Sequence, residues 1–407
     1  MRGVYVLLLI SLLGYTGRVS GQESVTITQC YEWARANYPQ IHQMGLIDQT
    51  ERYSLSNVGK AWLPQLSVSG KASYQSDVTK LPLDGDKISS LLPGFEIPSL
   101  SKDQYQVVAQ VDQTIWDGGS TRSARALTRA EAIANREQLE SELYALNDRV
   151  NQIYFGCLLQ DELIRQNALL QKELQVNIER IEAMMENGVA NQSDLESMEV
   201  ELLNARQNEI ELKASRTVYR QMLATFINKP LTDQVVLKTP ESPERSLSTQ
   251  INRPELRALD AKSEWIETQN KQVTAGLMPR IGAFVQGGYG RPGLNMLEDS
   301  FEPYYVAGVR LSWNLGKLYT LKNDRRKIEV SRRQIDVQRE TFLFNTRLQL
   351  LQQNTEIKKM TDLMRADDDI IRLRTSIKQA AEVKLENGVI SVTDLILSLI
   401  HISEPTR

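Results

Sequence analysis

The residue types that most often carry chemistry are few in this sequence and lie far apart. It contains two histidines, His42 and His401, and two cysteines, Cys30 and Cys157. A metal centre needs several such side chains at ligand spacing. An enzyme needs a nucleophile with its base, a phosphate-binding loop or a ligand cluster. None of these patterns occurs, so the sequence predicts no metal, no cofactor and no enzymatic activity.

The two cysteines each fall within a helical pattern. In an oxidising compartment they could form a disulfide, but a buried free thiol at each position is the favoured interpretation. The net charge of -3 offers nothing to attract a nucleic acid.

A polar motif occurs twice in the chain. It reads ENGVANQSDL at 186–195 and ENGVISVTDL at 386–395. Gly188 and Gly388 each follow an asparagine, and glycine readily adopts the left-handed conformation that ends a helix. The motif therefore predicts two tight turns between long helices, at 187–191 and 387–391.

Each turn is followed by a hydroxyl residue and an aspartate. These pairs are Ser193 with Asp194, and Thr393 with Asp394. A hydroxyl or a carboxylate there can cap the next helix and favour its positive end. Capping would explain both aspartates completely, so a capping role and a functional role both stay open.

A second internal similarity lies upstream of each motif. AWLPQLSVSGKASY (61–74) parallels GLMPRIGAFVQGGY (276–289), with Pro64 matching Pro279. The chain is therefore two copies of one pattern: helix, strand, loop, strand, long helix, tight turn and return helix. The fold class is mainly α with a small β part.

Four segments alternate apolar and polar residues, which predicts strands at 65–79, 104–116, 280–290 and 304–314. Strands of about 9–11 residues with one apolar face are typical of membrane barrels. A soluble antiparallel sheet with one face on a core gives the same alternation. Four strands cannot close a membrane barrel, so in the first case several chains would share one.

The helices are too long for an ordinary globule. No proline interrupts 120–186, and its apolar residues recur every three or four positions, as in a coiled coil. That length corresponds to about 100 Å of helix at ~1.5 Å per residue. A secreted coiled-coil rod would also explain the helices, but it would not explain the strands or the duplication.

The ends and the middle of the chain set its organisation. Residues 1–21 have the charged start, short apolar run and small residues of a cleaved signal peptide, with no cysteine for a lipid anchor. The first repeat is 22–229, and a linker rich in Pro, Ser and Thr follows at 230–250. The second repeat is 251–407.

Several short motifs occur in the order of a known family. INRPEL (251–256) is similar to the motif that opens the family's second repeat, and residues 34–39 resemble its opening helix. Residues 116–119, Trp-Asp-Gly-Gly, resemble its strand-to-helix junction, and the two Gly-Val…Asp-Leu turns match its hairpins. The chain thus resembles the TolC-like outer membrane efflux family over almost all of its mature length.

The resemblance implies a homotrimer whose chains each give four strands to a twelve-stranded outer-membrane barrel, with a helical α-barrel below it in the periplasm. Its function would be a passive exit duct for small molecules or proteins in a Gram-negative tripartite efflux or type I secretion system. The partners would be outer-membrane lipid, a periplasmic adaptor and an inner-membrane pump of the RND or ABC type.

The resemblance also implies roles for particular residues. Asp194 and Asp394 would line the periplasmic aperture, with Arg180, Arg372 and Arg374 as candidate latch partners by charge. Gly188 and Gly388 would form the hairpin turns. The strand–helix junctions would be formed by Pro64, Gly118, Gly119, Pro279 and Gly316.

Two features depart from the family pattern. The second junction, WNLGKL around Gly316, lacks the Asp-Gly-Gly form. The second copy also ends soon after Leu395, in a tail, HISEPTR, that abandons the apolar period. We therefore expect the chain to be truncated within its last long helix.

Overall fold

The computed structural model describes residues 24–78, 100–241, 251–295 and 298–390. The segment 1–21, much of the 230–250 linker, Asp394 and the tail after it lie outside the described residues. The chain divides into two compact units. One unit comprises residues up to His42, Ser141–Ile251 and the residues from Phe342. The other comprises Gln43–Glu140 and Asn252–Thr341.

The helices of the described residues are α1 (Ile27–Asn37), α2 (His42–Lys60), α3 (Ser120–Tyr144), α4 (Leu146–Glu186), α5 (Gln192–Ile227), α6 (Pro254–Ala275) and α7 (Lys317–Glu386). The strands are β1 (Ser24–Val25), β2 (Gln65–Tyr74), β3 (Asp103–Trp116), β4 (Val236–Leu237), β5 (Arg280–Arg291) and β6 (Glu302–Ser312). In the described residues the order of elements follows the predicted pattern up to the second tight turn, and the return helix expected after it lies outside them.

The strand expected over 304–314 lies two residues earlier, at Glu302–Ser312, and two elements differ more from the sequence predictions. The helix expected over 120–186 is interrupted at Ala145, which keeps right-handed helical dihedrals (φ −63°, ψ −17°). The strand expected over 65–79 ends at Tyr74, because the chain turns at the next residues, where the Asp77 carboxylate accepts from the backbone N–H of Val78. Both differences are local and leave the element order unchanged.

The sheet of the second unit follows chain order, β2-β3-β5-β6, with every pair antiparallel. The central pair, β3 with β5, joins the last strand of the first repeat to the first strand of the second. Strands β2 and β6 are its edges. The register places Leu66, Val111, Val285 and Ala307 in one row across the sheet.

The core of the first unit forms where α1, α4 and α5 meet the parallel pair β1–β4. Tyr154 is fully buried there, and its hydroxyl lies 2.8 Å from the carbonyl of Val25 and 2.7 Å from that of Lys238. The same core holds Cys30 and Cys157 as free buried thiols, which confirms the favoured interpretation of the two cysteines.

Candidate functional site

The first strand-to-helix junction is a turn organised by one carboxylate. Asp117 Oδ1 accepts from the backbone N–H of Gly119 at 2.9 Å, and Oδ2 accepts from that of Thr121 at 2.6 Å. Partial burial acts to raise the pKa of Asp117, but these hydrogen bonds outweigh it and lower the pKa overall. Gly118 and Gly119 both have positive φ, 65° and 83°, which the turn between β3 and α3 requires.

The second junction keeps one of these bonds with different residues, but it lacks the two glycines of positive φ. Asn314 Oδ1 accepts from the backbone N–H of Gly316 at 3.1 Å, as Asp117 does from Gly119. The missing Asp-Gly-Gly form therefore changes the charge of the junction but keeps its side-chain-to-backbone bond. The signal was present in the sequence, since Trp-Asn-x-Gly matches Trp-Asp-x-Gly.

The junctions of the two repeats contact each other. Pro64 and Pro279 stand immediately before β2 and β5. A Cβ added to Gly118 would lie 2.5 Å from the Cβ of Met278 and 3.1 Å from the carbonyl oxygen of Pro279. Gly118 thus allows the backbone of the first repeat to approach the second more closely than any side chain would permit.

One face of the four-stranded sheet is apolar and exposed. Leu66, Val68 and Tyr305 lie on this face and are 71%, 69% and 79% exposed. The alternation in β3 places Tyr105, Val107 and Val111 on the same side, where each is classed as exposed. Within the part of the chain that the structure describes, the apolar residues of this face therefore have no core to pack on.

The opposite face is polar and internally compensated. Arg310 Nη1 lies 3.7 Å from Asp112 Oδ1, and its guanidinium stands 4.8 Å from the centre of the Phe284 ring. Gln106 donates to the hydroxyl of Tyr304 across the strands. These contacts suit a face in contact with water, and they give Arg310 and Asp112 partners on that face.

A β-bulge ends the β3–β5 ladder. The register shifts between Thr114 and Trp116, so that Trp116 pairs with Ile281. Ile281 also pairs with Leu311, and both belong to the apolar face. The bulge therefore directs Trp116 to the apolar face at the helical end of the sheet, which the alternating pattern alone did not predict.

The two hairpin turns have the same backbone structure. Gly188 and Gly388 have φ of 72° and 68°, the left-handed conformation expected from the sequence. Val189 N–H donates to the carbonyl of Met184 at 2.9 Å, and Val389 N–H donates to that of Lys384 at 2.8 Å. With the bonds from the two glycine N–H groups, these form a Schellman motif at each helix end.

Asp194 takes part in a capping box at the start of α5. Its Oδ2 accepts from the backbone N–H of Asn191, and its own N–H donates to Asn191 Oδ1, both at 3.1 Å. The expectation that the Asp194 carboxylate helps to cap this helix is therefore confirmed, although Asp194 is not itself the N-cap residue. Asn191 is the N-cap, because its side chain reaches a free N–H in the first helical turn, and Asp194 stands three residues later.

The end of α7 is attached to the first hairpin by charge and by packing. Lys378 forms an ion pair with Glu173 of α4, and Arg180 Nη1 lies 3.8 Å from Glu382 Oε1. Leu385 is buried in the apolar cluster of α4 and α5.

Of the arginines named as latch candidates, Arg180 pairs with Glu382 of the other repeat. Arg372 pairs with Asp369 on its own helix. The sequence did not reveal the partnership of Lys378 with Glu173, because these residues are far apart in the chain and no spacing rule connects them.

The buried thiols are chemically quiet. Burial, and then the electrostatic influence of Cys157, raise the pKa of Cys30 to about 11. Burial likewise raises the pKa of Cys157 to about 11, although the nearby Arg220 opposes it. Thiolates are the reactive form of cysteine, so neither residue is a nucleophile near neutral pH.

The described residues contain neither a cluster of metal ligands nor a helix that could span a membrane. No group of three or more His, Cys, Asp or Glu side chains there is arranged to hold a metal ion. None of the helices that the structure describes is both long and apolar enough to cross a membrane.

Comparison with known proteins places these features in a family. Residues 30–229 match the family model described as outer membrane efflux protein. A search of curated proteins finds no match to the sequence.

The fold matches solved membrane proteins over 93% of the chain. CusC, whose structures concern transmembrane channel formation, matches with a TM-score of 0.63, 13% identity and 86% of its own chain covered. The outer membrane protein VceC of Vibrio cholerae matches with a TM-score of 0.60, 13% identity and 90% covered. The open state of the MtrE outer membrane channel of Neisseria gonorrhoeae matches with 0.59, 15% and 83%.

The junctions, the two-faced sheet and the paired hairpin turns define the class as an outer-membrane protein with a long helical part. Residues 30–229, close to half of the chain, belong to the outer membrane efflux protein family. The family inferred from the sequence motifs is thereby confirmed.

Proposed function

We propose that this protein is the outer-membrane exit duct of a tripartite export system. Three copies would form one duct that crosses the outer membrane and continues into the periplasm. It would pass small molecules or proteins supplied by a periplasmic adaptor and an inner-membrane pump of the RND or ABC type. The family membership and the exposed apolar face of the sheet support this proposal.

The exposed apolar face is the observation that carries the proposal. A soluble sheet would cover its apolar face with a core, yet in β3 Tyr105, Val107 and Val111 are exposed. Gln106, Gln110 and Asp112 of the opposite face are more covered. Contiguous apolar surface of this kind marks contact with a membrane or another protein. A secreted coiled-coil rod, the second candidate, gives no role to this face.

The sheet edges support an assembly of several copies. Strands β2 and β6 each have one unpaired edge within the described chain, and unpaired edges in a membrane leave costly N–H and C=O groups. Pairing of β6 with β2 of a second copy would satisfy both edges. Three copies would then give one closed sheet of twelve strands.

Two neighbouring substitutions test the membrane face. Val68→Lys places a charge on the apolar face, whereas Ser67→Lys places it on the polar face of the same strand. In a membrane, Val68→Lys should cost about 2–4 kcal/mol and Ser67→Lys little. We therefore expect outer-membrane fractionation and detergent-stable trimers for the unmodified protein and Ser67→Lys, and a severalfold lower trimer yield for Val68→Lys.

The opposing result is equally concrete. In a soluble monomer, Val68 and Ser67 would both face water, so both lysines would be tolerated. Equal yields of a monodisperse protein purified without detergent would refute the duct and favour the rod.

We further propose that Asp194 and Asp394 line the periplasmic mouth of the duct, as the family resemblance implies. Three symmetry-related carboxylates would concentrate a negative field on passing cations. The bonds of Lys378 with Glu173 and of Arg180 with Glu382 would hold the end of α7 against the first hairpin nearby.

Asparagine separates this role from capping. Asp194→Asn keeps an oxygen that can accept from the backbone N–H of Asn191 but removes the charge. In planar bilayers, Asp194→Asn and Asp394→Asn should each weaken cation selectivity while the melting temperature stays within a few degrees. Unchanged conductance and selectivity in both variants would leave the aspartates as caps only.

A further inference from the structure

A groove lies at the junction of sheet and helices, on the apolar side of the sheet. It has a volume of about 1060 Å³ and runs between α3 and α6, below Trp116. We propose that this groove binds the phosphate-bearing headgroup of an anionic membrane phospholipid. The inference rests on the proposed function, because it requires the apolar face to lie in the membrane.

The groove concentrates positive charge without compensation. Arg122, Arg125 and Arg129 line it from successive turns of α3, and Lys271 lines it from α6. Their spacing of three and four residues places the arginines on one face of the helix, where like charges repel. Among the described residues, none of these four side chains has an ion-pair partner.

The other arginines of the two helices that line the groove, α3 and α6, are neutralised. Arg136, seven residues after Arg129 on α3, pairs with both Asp48 and Glu51. Arg257 of α6 lies 3.5 Å from Glu137. The arginines of these helices that lie outside the groove therefore have acidic partners, whereas those that line it do not. An anion from outside the chain would supply the missing negative charge.

One carboxylate does line the groove, and its oxygens are already engaged. Both oxygens of Asp117 accept backbone N–H groups at the start of α3. Its single charge leaves an excess of positive charge from the four cations. The carboxylate consequently serves the turn and does not neutralise the arginines.

The apolar residues that line the groove suit the acyl chains of such a lipid. Trp62 and Met278 are exposed and line the groove, and Trp116 joins it to the apolar face of the sheet through the bulge. Tryptophan is enriched at the level of the headgroups. The acyl chain of a phospholipid could therefore lie along the apolar strands while the phosphate of its headgroup binds the cations. Inorganic phosphate has no acyl chain and could not make the apolar contacts.

The dimensions agree with this arrangement. From Arg122 to Arg129, α3 rises by about 10 Å at ~1.5 Å per residue. The headgroup layer of one leaflet is about 5–8 Å thick. The cations therefore span the depth at which lipid phosphates lie, and arginine suits phosphate because it forms bidentate charged hydrogen bonds.

Lipid binding to the full-length protein in mild detergent tests the proposal. Native mass spectrometry would measure the affinity for phosphatidylglycerol and for phosphatidylcholine, with inorganic phosphate as competitor. We expect at least a tenfold preference for phosphatidylglycerol, which inorganic phosphate at the same concentration does not displace. Displacement by inorganic phosphate would show a free-anion site and overturn the lipid assignment.

Two triple variants supply the comparison. R122Q/R125Q/R129Q should weaken phosphatidylglycerol binding about 100-fold, at roughly fivefold for each cation removed near a membrane surface. The matched variant R326Q/R333Q/R347Q removes the same charge from exposed positions of α7 and should change binding less than twofold. Equal effects of the two variants would mean that the groove has no special role.

The lysine variant and membrane insertion complete the test. R122K/R125K/R129K should retain binding within about fivefold, because it keeps the charge; a loss as large as with glutamine would overturn the electrostatic argument. Failure of the unmodified protein to insert into proteoliposomes would contradict the proposed function. Normal insertion with equal affinity for the two lipids would contradict this inference alone.

Discussion

Replacing Arg220 by methionine should free the segment that connects the two repeats. In the unmodified protein, Arg220 holds this segment against helix α5 of the first hairpin. Arg220 lies on α5 and is only 7% exposed. Its Nη1 donates to the carbonyl of Thr232 at 2.7 Å, and its Nη2 donates to the carbonyl of Val235 at 3.1 Å. Both acceptors belong to the segment that leads into β4, so one side chain holds this segment in place.

The expected cost follows from these bonds. A hydrogen bond from a charged donor contributes about 1.5–3 kcal/mol, so two of them contribute about 3–6 kcal/mol. Methionine preserves most of the packing, and Asp161, 3.5 Å from Arg220, keeps its bond to Arg216. No charge is left without a partner, and we therefore expect the lower end, about 3 kcal/mol, or roughly a 100-fold rise in the open population.

Limited proteolysis would measure this opening. Tryptic cleavage after Lys238, identified by fragment mass, should accelerate about 100-fold in Arg220→Met, since cleavage follows the open population when opening is fast. Arg216→Gln is the matched control: of its two partners, Asp233 is largely exposed and Asp161 keeps its contact with Arg220, so the cost should be about 1 kcal/mol and the acceleration about fivefold. If the two variants are cleaved at equal rates, the burial of Arg220 does not carry the energy assigned to it.

Two other predictions follow from the junction and the core. Gly118→Ala should destabilise the protein by about 2–5 kcal/mol, because the new Cβ would clash with Met278 in addition to the strain of positive φ. Gly119→Ala meets no neighbour and should cost about 1–2 kcal/mol. Thermal unfolding would distinguish the two variants, and equal melting temperatures would refute the close approach at Gly118. Burial raises the pKa of Cys30 and Cys157 to about 11 from 9.0, so their stabilising effect is complete below pH 9 and is lost as the pH rises to 11. The free energy of unfolding should fall by roughly 2–3 kcal/mol per thiol over this pH range. If a Cys30→Ala/Cys157→Ala variant shows the same pH dependence of unfolding, the two thiols are not its cause.

The features that could be predicted from the sequence are those set by local backbone chemistry. The left-handed Gly188 and Gly388 follow from their place after an asparagine at a helix end. The faces of the strands follow from alternation, so the apolar character of Val68 and Leu66 was readable. Their exposure was not, because alternation gives the same pattern whether the face meets a core or a membrane.

The features that could not be predicted depend on contacts between residues distant in the chain or on an interruption of the strand alternation. The bulge before Trp116 reverses the face on which a simple alternation places it. The bond of Lys378 to Glu173 joins the two repeats, and no periodic pattern links their positions. The N-cap role of Asn191 could have been predicted, because Asn191 and Asp194 have the spacing of a capping box.

The pairing of β3 with β5 has a consequence for how the protein arose and how it assembles. Within one chain, a strand that closes one repeat is bonded to the strand that opens the next. In the proposed ring, β6 and β2 of successive copies would form a junction of the same kind, so the ring would consist of six similar modules. An ancestor with a single repeat could have built it as a hexamer. Fusion of two repeats makes half of these junctions intramolecular, and it lowers the order of the assembly reaction from six to three.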